Sequence, residues 1–83
     1  MSKKGQETAA LIYEAVLPAG IKSFSMCSTR LRITLNDYSK IEISKIAGFP
    51  GVINALVADD HLQVVMGVGD VVDVYSEFKK IAG

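Results

Sequence analysis

Residues 30–35, Arg-Leu-Arg-Ile-Thr-Leu, alternate without interruption between polar and apolar side chains. A period of two is the mark of an extended strand, in which successive side chains point to opposite faces. Leu31, Ile33 and Leu35 therefore share one face, while Arg30, Arg32 and Thr34 share the other. A strand divided in this way belongs to a sheet with one face on a core and one toward water. His61 to Gly67 alternates in the same manner, with Leu62, Val64 and Met66 on one side and Gln63 and Val65 on the other. Val52 to Val57 is a nearly continuous apolar strand, and Asp59-Asp60 occupies the place of a hairpin connection. Ile21 to Met26 alternates more loosely, with Ile21, Phe24 and Met26 among polar residues.

The remaining segments read as helices. Ala9, Ile12, Tyr13 and Val16 recur at helical spacing within Gln6 to Leu17, and Pro18 with Gly20 ends the run. Ile41 to Ala47 has an ambiguous apolar spacing that fits a short helix closed by Gly48 better than a strand. Pro50-Gly51 makes a turn. Asp70 is placed to cap a last helix, along which Val71, Val74, Tyr75, Phe78 and Ile81 form an apolar stripe. The order is α-β-β-α-β-β-α. This predicts an α+β fold, a four-stranded antiparallel sheet with three helices on one face and Arg30, Arg32 and Gln63 on the other.

Bulk properties narrow the classes of function. Eighty-three residues make a single domain, 1–83, that buries roughly 60–65% of its unfolded surface. Nine basic residues balance nine acidic ones, against the positive excess of a general nucleic-acid binder. One cysteine excludes an internal disulfide, and one cysteine with one histidine cannot supply a structural zinc site. The segment Met1-Ser2-Lys3-Lys4-Gly5-Gln6-Glu7 is basic but is followed by no apolar run of leader type, and no stretch is long enough to span a membrane. These features predict a cytoplasmic protein in a reducing compartment, without direct membrane insertion.

The chemistry gathers in Cys27-Ser28-Thr29-Arg30-Leu31-Arg32. A cysteine at the end of one strand, before a tight connection to the next, is readily exposed. The arginines three and five residues later stand on one strand face near its beginning. Guanidinium groups favour thiolate over thiol in a neighbouring cysteine. They also offer planar forks of donors to a phosphate, each charged hydrogen bond contributing about 1.5–3 kcal/mol. The Thr29 hydroxyl and the N–H groups of the turn extend such an anion cradle. On residue pattern alone, a buried small hydrophobe remains the alternative for Cys27, and a solvated strand face the alternative for the arginines. Two other chemistries fail on spacing. Cysteine phosphatases need an arginine six positions after the cysteine, where Ile33 stands, and thioredoxin-type exchange needs a second cysteine.

Cys27-x-Thr29-Arg30-Leu31-Arg32-Ile33-x-Leu35-Asn36 resembles the phosphorylation-site signature of the B domain of enzyme II, glucose type, in the bacterial phosphoenolpyruvate-dependent sugar phosphotransferase system. The resemblance continues through Lys40-Ile41-Glu42, Gly48-Phe49-Pro50-Gly51-Val52, Leu62-Gln63-Val64-Val65-Met66-Gly67 and Val74-Tyr75-Ser76-Glu77-Phe78. It departs at Gly20, where the pattern usually has Asn, and at Ser25, where many members carry an acidic residue.

The resemblance implies that Cys27 accepts a phosphoryl group from a phosphohistidine of the A component. It would then donate that group to a sugar bound by the membrane-embedded C component. Arg30 and Arg32 match functional arginines, while Ser28, Thr29 and Gln63 fall near the phosphate; no cofactor or metal is implied. His61 reads as a residue of the hairpin turn, and Phe24 and Met26 as either core or an apolar rim for the A component. The alternative is a regulatory module that keeps the fold and reports phosphorylation state without phosphorylating sugar. A nucleic-acid domain of similar topology lacks the aromatic platform it needs.

Overall fold

The computed structural model describes residues 3–83. Met1 and Ser2 of the basic N-terminal segment lie outside the described residues. Seven elements follow in the expected order: α1 (Lys3–Val16), β1 (Ile21–Met26), β2 (Arg30–Leu35), α2 (Ile43–Ala47), β3 (Val52–Ala58), β4 (His61–Met66) and α3 (Val68–Ala82). The hairpins β1–β2 and β3–β4 join edge to edge through an antiparallel β2–β4 pair, so the sheet runs β1-β2-β4-β3.

Alternation decides the layering. Leu31, Ile33, Leu35, Leu62, Val64 and Met66 are buried on the inner face. They form one core with Ala9, Ile12 and Val16 of α1, Ile46 of α2, and Val71, Val74 and Phe78 of α3. Phe78 is the largest fully buried side chain. Its ring meets Phe24 edge-on at 5.0 Å and Tyr13 at 6.1 Å, the geometry in which the positive edge of one ring faces the negative face of another. Phe24, expected as core or rim, therefore packs toward the core, with Tyr75 on its other side at 6.0 Å.

The element ends show where local chemistry prevails. Pro18 converts the end of α1 into one 3-10 turn, Leu17–Ala19, and Gly20 then adopts φ +78° to enter β1. Asn36 N donates to Gly20 O at 2.9 Å, and a Cβ at position 20 would come within 2.6 Å of Asn36 Nδ2. That close approach at a left-handed φ suits glycine at this corner.

The helix expected over Ile41 to Ala47 starts two residues late. A 3-10 turn over Tyr38–Lys40 is followed by extended backbone at Ile41 and Glu42, and only Ile43–Ala47 is α-helical, closed at Gly48 as expected. Asp37 caps the 3-10 turn by accepting from Ser39 N at 3.0 Å and Ser39 Oγ at 2.6 Å. Asp70, expected as the cap of the last helix, lies instead in its first turn. The chain leaves the sheet at Gly67, and Val71 N already donates to Gly67 O at 2.9 Å. The helix must start at once if Val71 and Val74 are to reach the core, and Asp70 then places negative charge beside the helix N-terminus.

Between β3 and β4, Asp59 and Asp60 have φ of 53° and 61°, as a tight hairpin turn of matching twist requires and as Asp tolerates. The Tyr38 hydroxyl ties this turn to β2: it donates to Asp60 O and accepts from Leu35 N at 3.2 Å.

Phe78→Ala is expected to lower the unfolding free energy by about 3–5 kcal/mol, read from urea denaturation. The Ser39 hydroxyl and then the Ser39 N–H hold the Asp37 carboxyl below the ordinary aspartate range, with the Lys40 charge acting in the same direction. A depressed carboxylate adds stability above its unfolded value and loses it as pH falls through the folded one. An NMR titration should place the Asp37 carboxyl midpoint below that of a free aspartate, and Ser39→Ala should raise it.

Candidate functional site

β1 ends at Met26, and β2 begins at Arg30. Between them Cys27 N donates to Arg30 O at 2.8 Å, closing the hairpin so that Cys27 stands opposite Arg30, one register step beyond the Met26–Leu31 pair. Ser28 and Thr29 form the turn. The turn is fastened from a second side, since Met66 N at the end of β4 donates to Thr29 O at 2.8 Å. Cys27, Ser28, Thr29 and Arg30 are all exposed. The thiol therefore faces solvent, which removes the reading of Cys27 as a buried hydrophobe. Because Arg30 O engages the Cys27 N–H, that group is not available to the anion cradle expected from the turn.

Arg32, two residues along the same strand face, pairs in register with Ser25 of β1 and Gln63 of β4. Its side chain is half-buried. Nε is fully buried and has no hydrogen-bond partner among the described residues, an arrangement that costs about 1–3 kcal/mol or more for a charged group. Arg30 differs: its Nη1 donates to Gln63 Oε1 at 2.6 Å. Gln63 is only 3% exposed, although it lies on the face without helices, and its Nε2 donates to Ala58 O at 3.2 Å. The structure thus places Cys27, Arg30, Arg32 and Gln63 on one face of the sheet, with Ser28 and Thr29 in the turn at its end.

Farther along this face, Thr34 Oγ1 and His61 Nδ1 are hydrogen-bonded at 2.9 Å. His61 borders the turn and is the first residue of β4. Met26 is 38% exposed, on the rim beside Cys27. Two contributors were not legible in the sequence, the carbonyl of Ala58 and the N–H of Met66. Both are backbone groups, and their parts depend on strand register rather than on residue type. Among the described residues no cluster of three or more His, Cys, Asp or Glu is gathered to hold a metal. No helix of the described residues is long and apolar enough to cross a membrane.

No family model matches the chain. It is 32% identical over 83 residues to the MurNAc-GlcNAc-specific EIIBC component of the phosphotransferase system of Staphylococcus haemolyticus, an alignment covering 96% of this chain and 17% of that protein. It is 36% identical over 62 residues to the sucrose-specific EIIBC component of Bacillus subtilis, covering 75% of this chain and 13% of the relative. A third relative, the N-acetylmuramic acid-specific EIIBC component of Photorhabdus laumondii, is 33% identical over 70 residues, covering 83% of this chain and 14% of the relative. The chain thus spans well under a fifth of the length of these curated relatives. Among solved structures, it superposes on one domain of a phosphotransferase system IIabc component from Clostridium difficile with a TM-score of 0.90. The identity there is 26%, over 95% of this chain and 83% of that one.

The exposure of Cys27 predicts that the native protein reacts with one equivalent of a disulfide reagent without denaturant. A thiol that became reactive only after unfolding would contradict this placement.

Proposed function

We propose that this chain, which belongs to the glucose-type enzyme II B domains of the phosphoenolpyruvate-dependent sugar phosphotransferase system, carries a phosphoryl group on Cys27. The observation that carries the reading is the exposed Cys27 on a doubly fastened turn, directly opposite Arg30 and beside Arg32 on the free sheet face.

In the first step the Cys27 thiolate attacks phosphorus on a phosphohistidine of an A component. The S–P bond forms as the P–N bond breaks, and the histidine nitrogen keeps the electron pair. In the second step a sugar hydroxyl on a membrane C component attacks the same phosphorus. The O–P bond forms, the S–P bond breaks, the thiolate returns, and the hydroxyl proton leaves. Transfer of this kind depends on positioning and on stabilising charge spread over the phosphoryl oxygens. Arg30 and Arg32 supply that charge, and the Ser28 and Thr29 hydroxyls supply neutral donors next to the sulfur. Gln63 stands behind Arg30.

Nothing in this scheme needs a deep pocket, because the sugar is held by the C component and the phosphoryl group arrives attached to protein. Exposure is useful here: one small surface must meet two partners in turn and release both, which suits a small, transient interface.

Incubation with phosphoenolpyruvate, the general phosphotransfer proteins and an A component should add one phosphate to the mass of the protein. The gain should vanish in Cys27→Ser. No gain in the wild type, or a gain that survives the substitution, would defeat the proposal. Arg30→Lys and Arg32→Lys should fold and accept the label, yet donate to sugar at least ten-fold more slowly, because an ammonium does not replace the guanidinium fork.

A further inference from the structure

Arg30 and Arg32 share a strand face and a charge but not a hydrogen-bonding state, and Gln63 makes the difference. We infer that Gln63 is a positioning residue that holds the Arg30 guanidinium in place before the phosphoryl group arrives. Arg32 has no such holder at its Nε, which is buried and has no hydrogen-bond partner among the described residues. The part concerning phosphoryl transfer rests on the carrier function proposed above; the clamp on Arg30 does not.

The amide can be oriented in one way only. An arginine has donors and no acceptor, and a backbone carbonyl has acceptors and no donor. The oxygen of Gln63 must therefore face Arg30 Nη1, and its nitrogen must face Ala58 O, as the 2.6 Å and 3.2 Å contacts have it. At 3% exposure the amide has little room to turn away to solvent. Its far anchor is also fixed. Ala58 is the last residue of β3, and the Asp59–Asp60 turn that follows it is tied through the Tyr38 hydroxyl to Leu35 N of β2. A chain of contacts thus runs from the turn at one end of the β3–β4 hairpin to an exposed guanidinium near Cys27 at the other end of the sheet.

A neutral residue suits this task. An amide oxygen orders the guanidinium and leaves its positive charge undiminished for an incoming anion. A carboxylate at the same place would cancel the charge, and it has no donor to offer Ala58 O. Arg32 has no comparable holder: its Nε is buried and unpaired among the described residues.

The test separates order from charge. In wild-type protein, NMR relaxation of the guanidinium Nε–H groups should show Arg30 ordered on the ps–ns scale, unlike a freely exposed arginine. Gln63→Leu should release Arg30, leave Arg32 unchanged, and slow phosphoryl donation from Cys27 at least ten-fold. Gln63→Glu should slow donation to a similar degree, because the charge of Arg30 is then offset. A residue that served only to fill the sheet face would alter stability in both variants without moving the Arg30 signal selectively.

Arg30 as mobile in the wild type as a freely exposed arginine overturns the inference, a comparison that needs no variant. Donation in folded Gln63→Glu at the wild-type rate overturns it as well. The two proposals fail separately. An ordered Arg30 in a protein that takes no phosphate on Cys27 sinks the carrier reading and leaves the clamp. A labelled Cys27 with a mobile Arg30 does the reverse.

Discussion

The antiparallel pairing of β2 with β4 is the constraint on which the rest of the molecule depends. Leu31 faces Val64 and Ile33 faces Leu62 across this pair, and on the opposite side Arg32 faces Gln63. Side chains alternate with a period of two, so a slip of one residue would send the arginines into the core and the leucines into water. Few registers are as strongly specified, because both faces would object. The same pairing extends beyond the first residue of β2, where Met66 N reaches Thr29 O. The register that closes the core therefore also seats the turn bearing Cys27.

The division between a packed side and a working side follows from this. The helices cover one face only, and Phe78 fills the space between α1, α3 and β1 with its edge-on aromatic contacts. The free face has no helix to cover it, so its polar groups must satisfy one another or meet solvent. They do so unevenly. Arg30 is bonded, Gln63 uses both ends of its amide, Thr34 and His61 pair, and Arg32 Nε has no partner among the described residues. A buried unpaired donor on a cation carries a desolvation cost that the other polar groups of this face avoid.

Much of this was legible in the chain. The strict alternation of Arg30 to Leu35 and of His61 to Gly67 marked two half-buried strands and assigned every side chain in them to the correct face. The paired turn residues Asp59-Asp60 placed a hairpin correctly, because two successive positive φ values are tolerated by few side chains. Helix ends were less legible. Asp70 has the chemistry of a cap but not the position, since the helix start was set by how soon the chain had to return from Met66 to the core. The stretch from Ile41 to Ala47 misled at its start for a related reason. Its apolar spacing is compatible with one helix, but Asp37 captures Ser39 and makes a separate 3-10 turn, and Ile41 and Glu42 are extended.

Residue pattern left Cys27 between an exposed thiol beside two arginines and a buried hydrophobe, and the extended agreement of sequence around it identified the family. Gln63 was identifiable as a polar residue on the free face and, by resemblance, as one near the phosphate. That it holds Arg30 depends on β4 lying beside β2 rather than beside β1, a long-range pairing that no local pattern encodes. Local periodicity and turn chemistry determined which residues face the core, where the hairpins bend, and that a cysteine precedes an arginine-bearing strand. The order of the four strands, the start of α3, and the unequal states of Arg30 and Arg32 were decided by tertiary structure. The physical reason is reach: alternation and capping act within a few residues. The contacts that distinguish the two arginines join positions about thirty residues apart, which only the closed sheet brings together.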